Sequence, residues 1–147
     1  MFYGSHSVTM DAKGRVAVPK DLRDQLTAYC NCELVLTAST QDRCLVLYPK
    51  PYWDEIAVQL EEIKSRSSKQ ARRTKLLMLG YYHVAEMDGN NRMLIPTQHR
   101  DYAGLDRKLL IIGQGKSFEV WDEDRFKEWV DSDIDEPVPD DLAGLDF

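Results

Sequence analysis

The feature that most constrains this chain is an internal repeat. Residues 11–26 read Asp-Ala-Lys-Gly-Arg-Val-Ala-Val-Pro-Lys-Asp-Leu-Arg-Asp-Gln-Leu, and the same pattern returns at 88–105. Asp11, Arg15, Pro19, Arg23 and Asp24 recur as Asp88, Arg92, Pro96, Arg100 and Asp101, each 77 residues further on. Downstream, Leu45-Val46-Leu47-Tyr48 corresponds to Phe118-Glu119-Val120-Trp121, and Trp53 to Phe126. Repetition at this spacing means that one supersecondary unit is used twice.

Each copy opens with a polar turn from Asp to Arg. Gly14 stands where a tight turn often needs positive φ, and Asn91, the next most tolerant residue type, stands at the matching place. An apolar triplet follows, Val16-Ala17-Val18 or Met93-Leu94-Ile95, and then proline. Proline ends a strand and suits a helix start, because its fixed φ matches the first helical turn. Leu22 and Leu26 have helical spacing, as do Tyr102 and Leu105 less regularly. Two short apolar runs complete each unit, Leu34–Thr37 with Leu45–Tyr48, and Leu109–Ile112 with Phe118–Trp121. The unit reads strand, turn, strand, short helix, strand, turn, strand, which is too little core for one copy alone.

Between the copies, Pro51 starts a predicted helix whose Trp53, Ile56, Ala57, Leu60 and Ile63 share one face. A second predicted helix runs from an N-cap at Ser67 or Ser68 to about Leu79, where the Leu76–Leu79 run suits a covered helix end and Gly80 a stop. Residues 64–75 carry Lys64, Arg66, Lys69, Arg72, Arg73 and Lys75 and no acid. That run reads either as a solvated helix face or as a supplementary phosphate-contacting surface. Asp122 is placed to cap a closing helix bearing Phe126, Trp129 and Val130. The expected division is a first unit at 5–52, a helical linker at 53–80, a second unit at 81–124, and a closing helix with an acidic tail at 125–147.

Charge is unevenly distributed. The net charge is −6, yet residues 131–147 hold seven acids and no Lys or Arg, which leaves 18 acids against 19 basic residues in 1–130. The body is therefore near neutral. The tail, with Pro137 and Pro139, has the composition of a segment without regular structure. This distribution excludes a general polyanion binder and permits a protein that presents a few basic side chains locally. Cys30, Cys32 and Cys44 are odd in number and read as reduced structural thiols; no second Cys/His pair has zinc-ligand spacing. No metal or cofactor is expected. No apolar run is long enough for a membrane helix, and the N-terminus lacks a signal-peptide pattern, so the expected compartment is the cytoplasm. His6, His83 and His99 are scattered, and neither a phosphate loop nor a nucleophile elbow is present, so the chain reads as a non-enzyme.

Two readings of the repeated turn remain open on the residues alone. In one, the tip enters a DNA groove. Arg15 then offers a planar fork to guanine O6 and N7, Lys13 a charge to phosphate, Gly14 a narrow tip, and Asp11 a brace for the turn. In the other, Asp and Arg four apart form a surface ion pair worth about 0–1 kcal/mol. Arg23 with Asp24, and Arg100 with Asp101, read as structural pairs on helices.

The doubled Asp-x-x-x-Arg with its proline resembles the MraZ family of bacterial transcriptional regulators. Further matches are Met1-Phe2-Tyr3-Gly4, Cys44-Leu-Val-Leu-Tyr-Pro49, the Arg72-Arg73 to Gly80 junction, and Phe118-Glu-Val-Trp-Asp122. The resemblance spans Met1 to about Ile134. It implies an α+β, mainly β fold in which two tandem AbrB-like units swap hairpins to complete one pseudo-symmetric barrel-like core with flanking helices. It also implies a ring-like homo-oligomer, associated with the nucleoid, that binds repeated boxes of double-stranded DNA in its own promoter and represses the division and cell-wall gene cluster downstream. Carried over residue by residue, the implied functional residues are Asp11, Lys13 and Arg15, and Asp88 and Arg92, of which Lys13, Arg15 and Arg92 are the DNA-binding side chains. From the residues themselves, Gly14 and Asn91 join Asp11 and Asp88 in shaping the turns, and Arg72 and Arg73 of the basic run are candidate phosphate contacts. Asn90 departs from the pattern, standing where the first copy has Lys13. The alternative function is an AbrB-type protein-interaction module, antitoxin-like, with DNA binding secondary.

Overall fold

Each copy of the repeat folds as a hairpin, a helix and a second hairpin. A computed structural model describes residues 1–64 and 68–146. In the first copy these elements are β1 (Ser5–Thr9), β2 (Arg15–Ala17), α1 (Lys20–Cys30), β3 (Leu34–Ala38) and β4 (Leu45–Pro49). The second copy gives β5 (His83–Ala85), β6 (Arg92–Leu94), α4 (Thr97–Ala103), β7 (Lys108–Gly113) and β8 (Phe118–Asp122). Helices α2 (Lys50–Glu62) and α3 (Lys69–Gly80) join the copies, while α5 (Glu123–Asp131) and the short α6 (Asp140–Ala143) close the chain.

The two copies exchange strands. β1 pairs with β7 of the other copy, from Ser5↔Ile112 to Thr9↔Lys108, and β5 pairs with β3, from Leu34↔Ala85 to Leu36↔His83. β4 pairs with β8 in the middle of the sheet, giving the order β1-β7-β8-β4-β3-β5. β2 and β6 form a separate antiparallel ribbon. Single bridges, Met10↔Val16 and Met87↔Met93, join the ribbon to the chain leaving β1 and β5. Every first hairpin thus depends on the opposite copy for its partner. The strand exchange implied by the family resemblance is present; the six-stranded ladder itself has β1 and β5 as edges.

One interior cluster fills the space under both sheets. Val16, Leu26, Met93, Ile95, Leu109 and Val120 in it have no exposed surface, and they come from both copies. Full burial of such a side chain contributes about 1.5–3 kcal/mol. A second cluster lies on the other face of β3 and β4, where Val35, Val46 and Tyr48 meet Trp53 and Leu60 of α2 and Met78 of α3. Thr37 Oγ1 donates to the Met78 carbonyl at 2.7 Å and ties α3 to β3.

Several boundaries differ from the sequence expectation. α1 runs a turn past Leu26 because nothing breaks it before Asn31, which takes φ 55 and caps it. The N-cap of α3 is Ser68, whose side chain accepts the Ala71 N–H at 2.9 Å; Ser67 and the basic Arg66 lie outside the described residues. Gly80 is the last residue of α3, not its cap, and Leu76 and Leu79 are 53% and 43% exposed. The predicted covered helix end is therefore buried at Met78 and half-buried at Leu77, with the rest exposed. Asp122 caps α5 as expected, accepting the Arg125 N–H at 3.3 Å. The acidic tail carries the four-residue α6, and its described residues are exposed.

Candidate nucleic-acid interface

The ribbon of β2 and β6 is where the repeated turns meet. Strand alternation decides which side chains face out. Val16 and Met93, paired across the ribbon, point inward and are fully buried. Arg15 faces Leu94 and Ala17 faces Arg92 on the opposite, solvent side. Arg15 and Arg92 therefore sit at diagonal positions on one exposed surface, with Leu94 45% exposed between the strands. Sequence reasoning named both arginines but not Ala17 or Leu94. The periodicity of 2 across the ribbon would have found them once β2 was known to pair with β6.

Both turns are built the same way. Asp11 Oδ1 accepts the backbone N–H of Lys13 and of Arg15, each at 2.9 Å, and the Gly14 N–H donates to the Asp11 carbonyl at 3.0 Å. Asp88 Oδ1 accepts from the Asn90 and Arg92 backbone at 2.8 and 3.0 Å, and Asn91 N–H donates to the Asp88 carbonyl at 3.0 Å. Gly14 has φ 86 and Asn91 φ 59, so both occupy the left-handed region read from the sequence. Donation by the backbone of Arg15 holds the Asp11 carboxyl below its ordinary 3.8, and donation by the backbone of Arg92 does the same for Asp88. The turn aspartates brace backbone, which is the role expected of them.

The side chains of the two arginines differ. Arg92 Nε donates to Asp88 Oδ2 at 3.2 Å, and its Nη1 lies 3.8 Å from Asp11 Oδ2. Arg92 is thus held by both turn carboxylates. Among the described residues no hydrogen bond or ion pair holds the Arg15 side chain, so its guanidinium fork is available to a ligand. Lys13 is exposed beside it, while the second turn offers the neutral Asn90 at the same place. The two turns are equal in backbone and unequal in charge.

The other candidate residues lie elsewhere. Arg72 and Arg73 are exposed on α3, which packs on β3, and no hydrogen bond or ion pair links them to the ribbon among the described residues. Arg23 does not pair with Asp24: its Nε donates to the Val18 carbonyl at 2.9 Å, and Asp24 accepts from Lys20 at 2.9 Å. Arg100 likewise leaves Asp101 and donates to Thr97 Oγ1 at 2.8 Å. Cys44 is buried, which pushes its thiol up to about 12. No group of three His, Cys, Asp or Glu side chains is placed to hold a metal among the described residues, and no helix is long and apolar enough to cross a membrane.

Duplicated, strand-exchanged units with a braced Asp-x-x-x-Arg turn at each ribbon end define a tandem swapped-hairpin protein. The family model described as "MraZ protein, putative antitoxin-like" matches residues 1–77 and again 78–144. The chain belongs to the MraZ family. It is 45% identical over 146 residues to a protein of Saccharophagus degradans named transcriptional regulator MraZ, covering 99% of each chain. Proteins of the same name from Shewanella piezotolerans and Pseudomonas aeruginosa are 41% and 39% identical, the first covering 97% of this chain and 93% of its own, the second 99% of both.

Proposed function

We propose that this protein is a transcriptional regulator that binds double-stranded DNA through the outer face of the β2–β6 ribbon. Its full-length relatives carry the name transcriptional regulator MraZ, which supports regulation over catalysis. The observation that carries the DNA reading is the unpaired Arg15 fork beside Lys13, displayed on a rigid ribbon diagonally from Arg92. A two-stranded ribbon fits the major groove, and an arginine fork matches guanine O6 and N7. In this reading Arg15 reads a base, Lys13 contacts phosphate, and Arg92 contributes a charge already shared with Asp11 and Asp88. Arg72 and Arg73 add phosphate contacts at most.

The finer points rest on the same reading. In this reading the two sheets wrap one pseudo-symmetric, barrel-like core. One ribbon is small against the roughly 1,000 Å² or more of protein surface that specific DNA interfaces bury. Several chains acting together, as a ring-like homo-oligomer on repeated boxes, gain affinity through effective concentration. The regulated DNA is the chain's own promoter ahead of the division and cell-wall genes, the outcome is repression, and the place is the cytoplasm, on the nucleoid. Genome-wide mapping of DNA bound to the protein in cells tests this. The expected result is enrichment of short repeats upstream of the chain's own gene, with expression rising when the protein is removed. Enrichment absent from that region contradicts the reading.

A further inference from the structure

The ribbon ends are composite. Helix α4 belongs to the second copy, yet its Arg100 lies against the turn of the first. A Cβ added to Gly14 would meet Arg100 Nε and Cζ at 2.9 Å, so the guanidinium rests directly on the glycine. Nη2 donates to Thr97 Oγ1 at 2.8 Å, while Nε is enclosed and has no acceptor among the described residues. No carboxylate pairs with this cation among the described residues, and the neighbouring Asp101 does not take the role.

The equivalent arginine of the first copy behaves differently. Arg23 Nε donates to the Val18 carbonyl at 2.9 Å. Two sequence differences accompany this. The second turn has Asn91 in place of Gly14, the residue on which Arg100 rests in the first turn. Thr97, which anchors Arg100, is replaced by Lys20, which pairs with Asp24 instead. Among the described residues each arginine thus makes one side-chain hydrogen bond, but Nε is paired in Arg23 and enclosed without an acceptor in Arg100.

The first turn consequently gathers Lys13, Arg15 and Arg100 around the Asp11 carboxylate, whose Oδ1 is committed to the backbone and whose Oδ2 also lies 3.8 Å from Arg92 Nη1. The second turn has Arg92, which two carboxylates share, and the neutral Asn90. With Nη2 held by Thr97 and Nε enclosed against Gly14, Nη1 is the guanidinium donor left to take a phosphate oxygen. We propose that Arg100, supplied by α4 of the second copy, binds a DNA phosphate beside the first turn, making that turn the main anchor of the two. The assignment rests on the DNA-binding reading above. It adds a residue from outside the ribbon and makes the two ends functionally unequal.

The test uses the full chain, a duplex carrying its own upstream promoter region, and a scrambled duplex of the same length and composition, titrated over a series of salt concentrations. Arg100→Gln is expected to weaken both duplexes by the same factor and to reduce the log–log salt slope by about 0.9, the change for one phosphate contact. Arg100→Lys keeps the charge and is expected to keep the slope. Arg23→Gln is expected to leave the slope unchanged. A folded Arg100→Gln variant with the wild-type slope overturns the assignment. If that variant does not fold, the Arg100 Nε–H NMR signal of the wild-type chain, assigned by its loss in Arg100→Lys, decides: it is expected to shift when the promoter duplex is added, and a signal that stays in place overturns the proposal. A wild-type chain that binds neither duplex overturns the DNA reading itself, and the assignment with it.

Discussion

Val16 and Met93 face each other across the β2–β6 ribbon, and they are also equivalent residues of the repeat, 77 positions apart. A residue paired with its own repeat equivalent marks a local two-fold axis. The same relation holds at the opposite side of the core, where Val46 pairs with Glu119, its equivalent in the β4/β8 correspondence. The axis therefore runs from the ribbon through the interior to the β4–β8 ladder. Both members of the ribbon pair are fully buried. The axis explains why Arg15 and Arg92 emerge diagonally on one face: a two-fold through the central pair must place them so.

This exchange makes the halves interdependent. A fragment of residues 1–64 retains β1 without β7 and β2 without β6. It is expected to be unfolded or to form interleaved dimers, in which a second copy supplies the missing strands. Analytical ultracentrifugation with NMR checks this; a folded, strictly monomeric fragment contradicts it.

Gly14 is required twice over. Its φ of 86 penalises any side chain, and a Cβ would stand 2.7 Å from the Ile95 carbonyl oxygen. Gly14→Ala is expected to lower stability by about 1–3 kcal/mol, measured by denaturant unfolding. Asn91→Gly, at the equivalent place, removes a Cβ already accommodated and is expected to change stability far less. Equal effects of the two substitutions would refute this account of the asymmetry.

The repeat, the turn conformations and most strands were legible in the sequence because they are set locally. Gly14 and Asn91 announce left-handed backbone, and the prolines separate strand from helix. The exchange of hairpins came from the family resemblance, since no local pattern says which copy a strand will join. The end of α1 is not legible in the apolar spacing, which stops at Leu26 while helical backbone continues to Cys30 and is capped by Asn31. The partners of Arg23 and Arg100 were misread because adjacency to an aspartate in sequence says little on a helix, where neighbours in space lie three or four residues apart.

His99 supplies a pH-dependent term. It is 4% exposed, its Nε2 lies 2.6 Å from the Tyr81 carbonyl oxygen and so donates to it, and its Nδ1 has no partner among the described residues. Burial holds its pKa below the ordinary 6.5, and the nearby His83 adds to the effect. Below pH 6.5 the unfolded chain binds a proton that the folded chain resists, so stability falls as pH drops from 6.5 toward the folded pKa. Thermal melts between neutral and mildly acidic pH are expected to show this fall, and His99→Gln is expected to flatten it. An unchanged slope in that variant would assign the effect to other groups.

The central claim concerns Arg15, and its direct measurement is the affinity of Arg15 variants for promoter and scrambled duplexes at one fixed salt concentration, with folding checked by circular dichroism. Arg15→Ala is expected to cost about 1–3 kcal/mol per recognised site and to flatten the preference between the two duplexes. Arg15→Lys retains charge without the fork, so discrimination is expected to fall more than affinity for the scrambled duplex. Arg72→Ala, if it changes binding, is expected to weaken both duplexes alike. A folded Arg15→Ala protein that keeps full discrimination would contradict the account and reduce the repeated turn to a structural device.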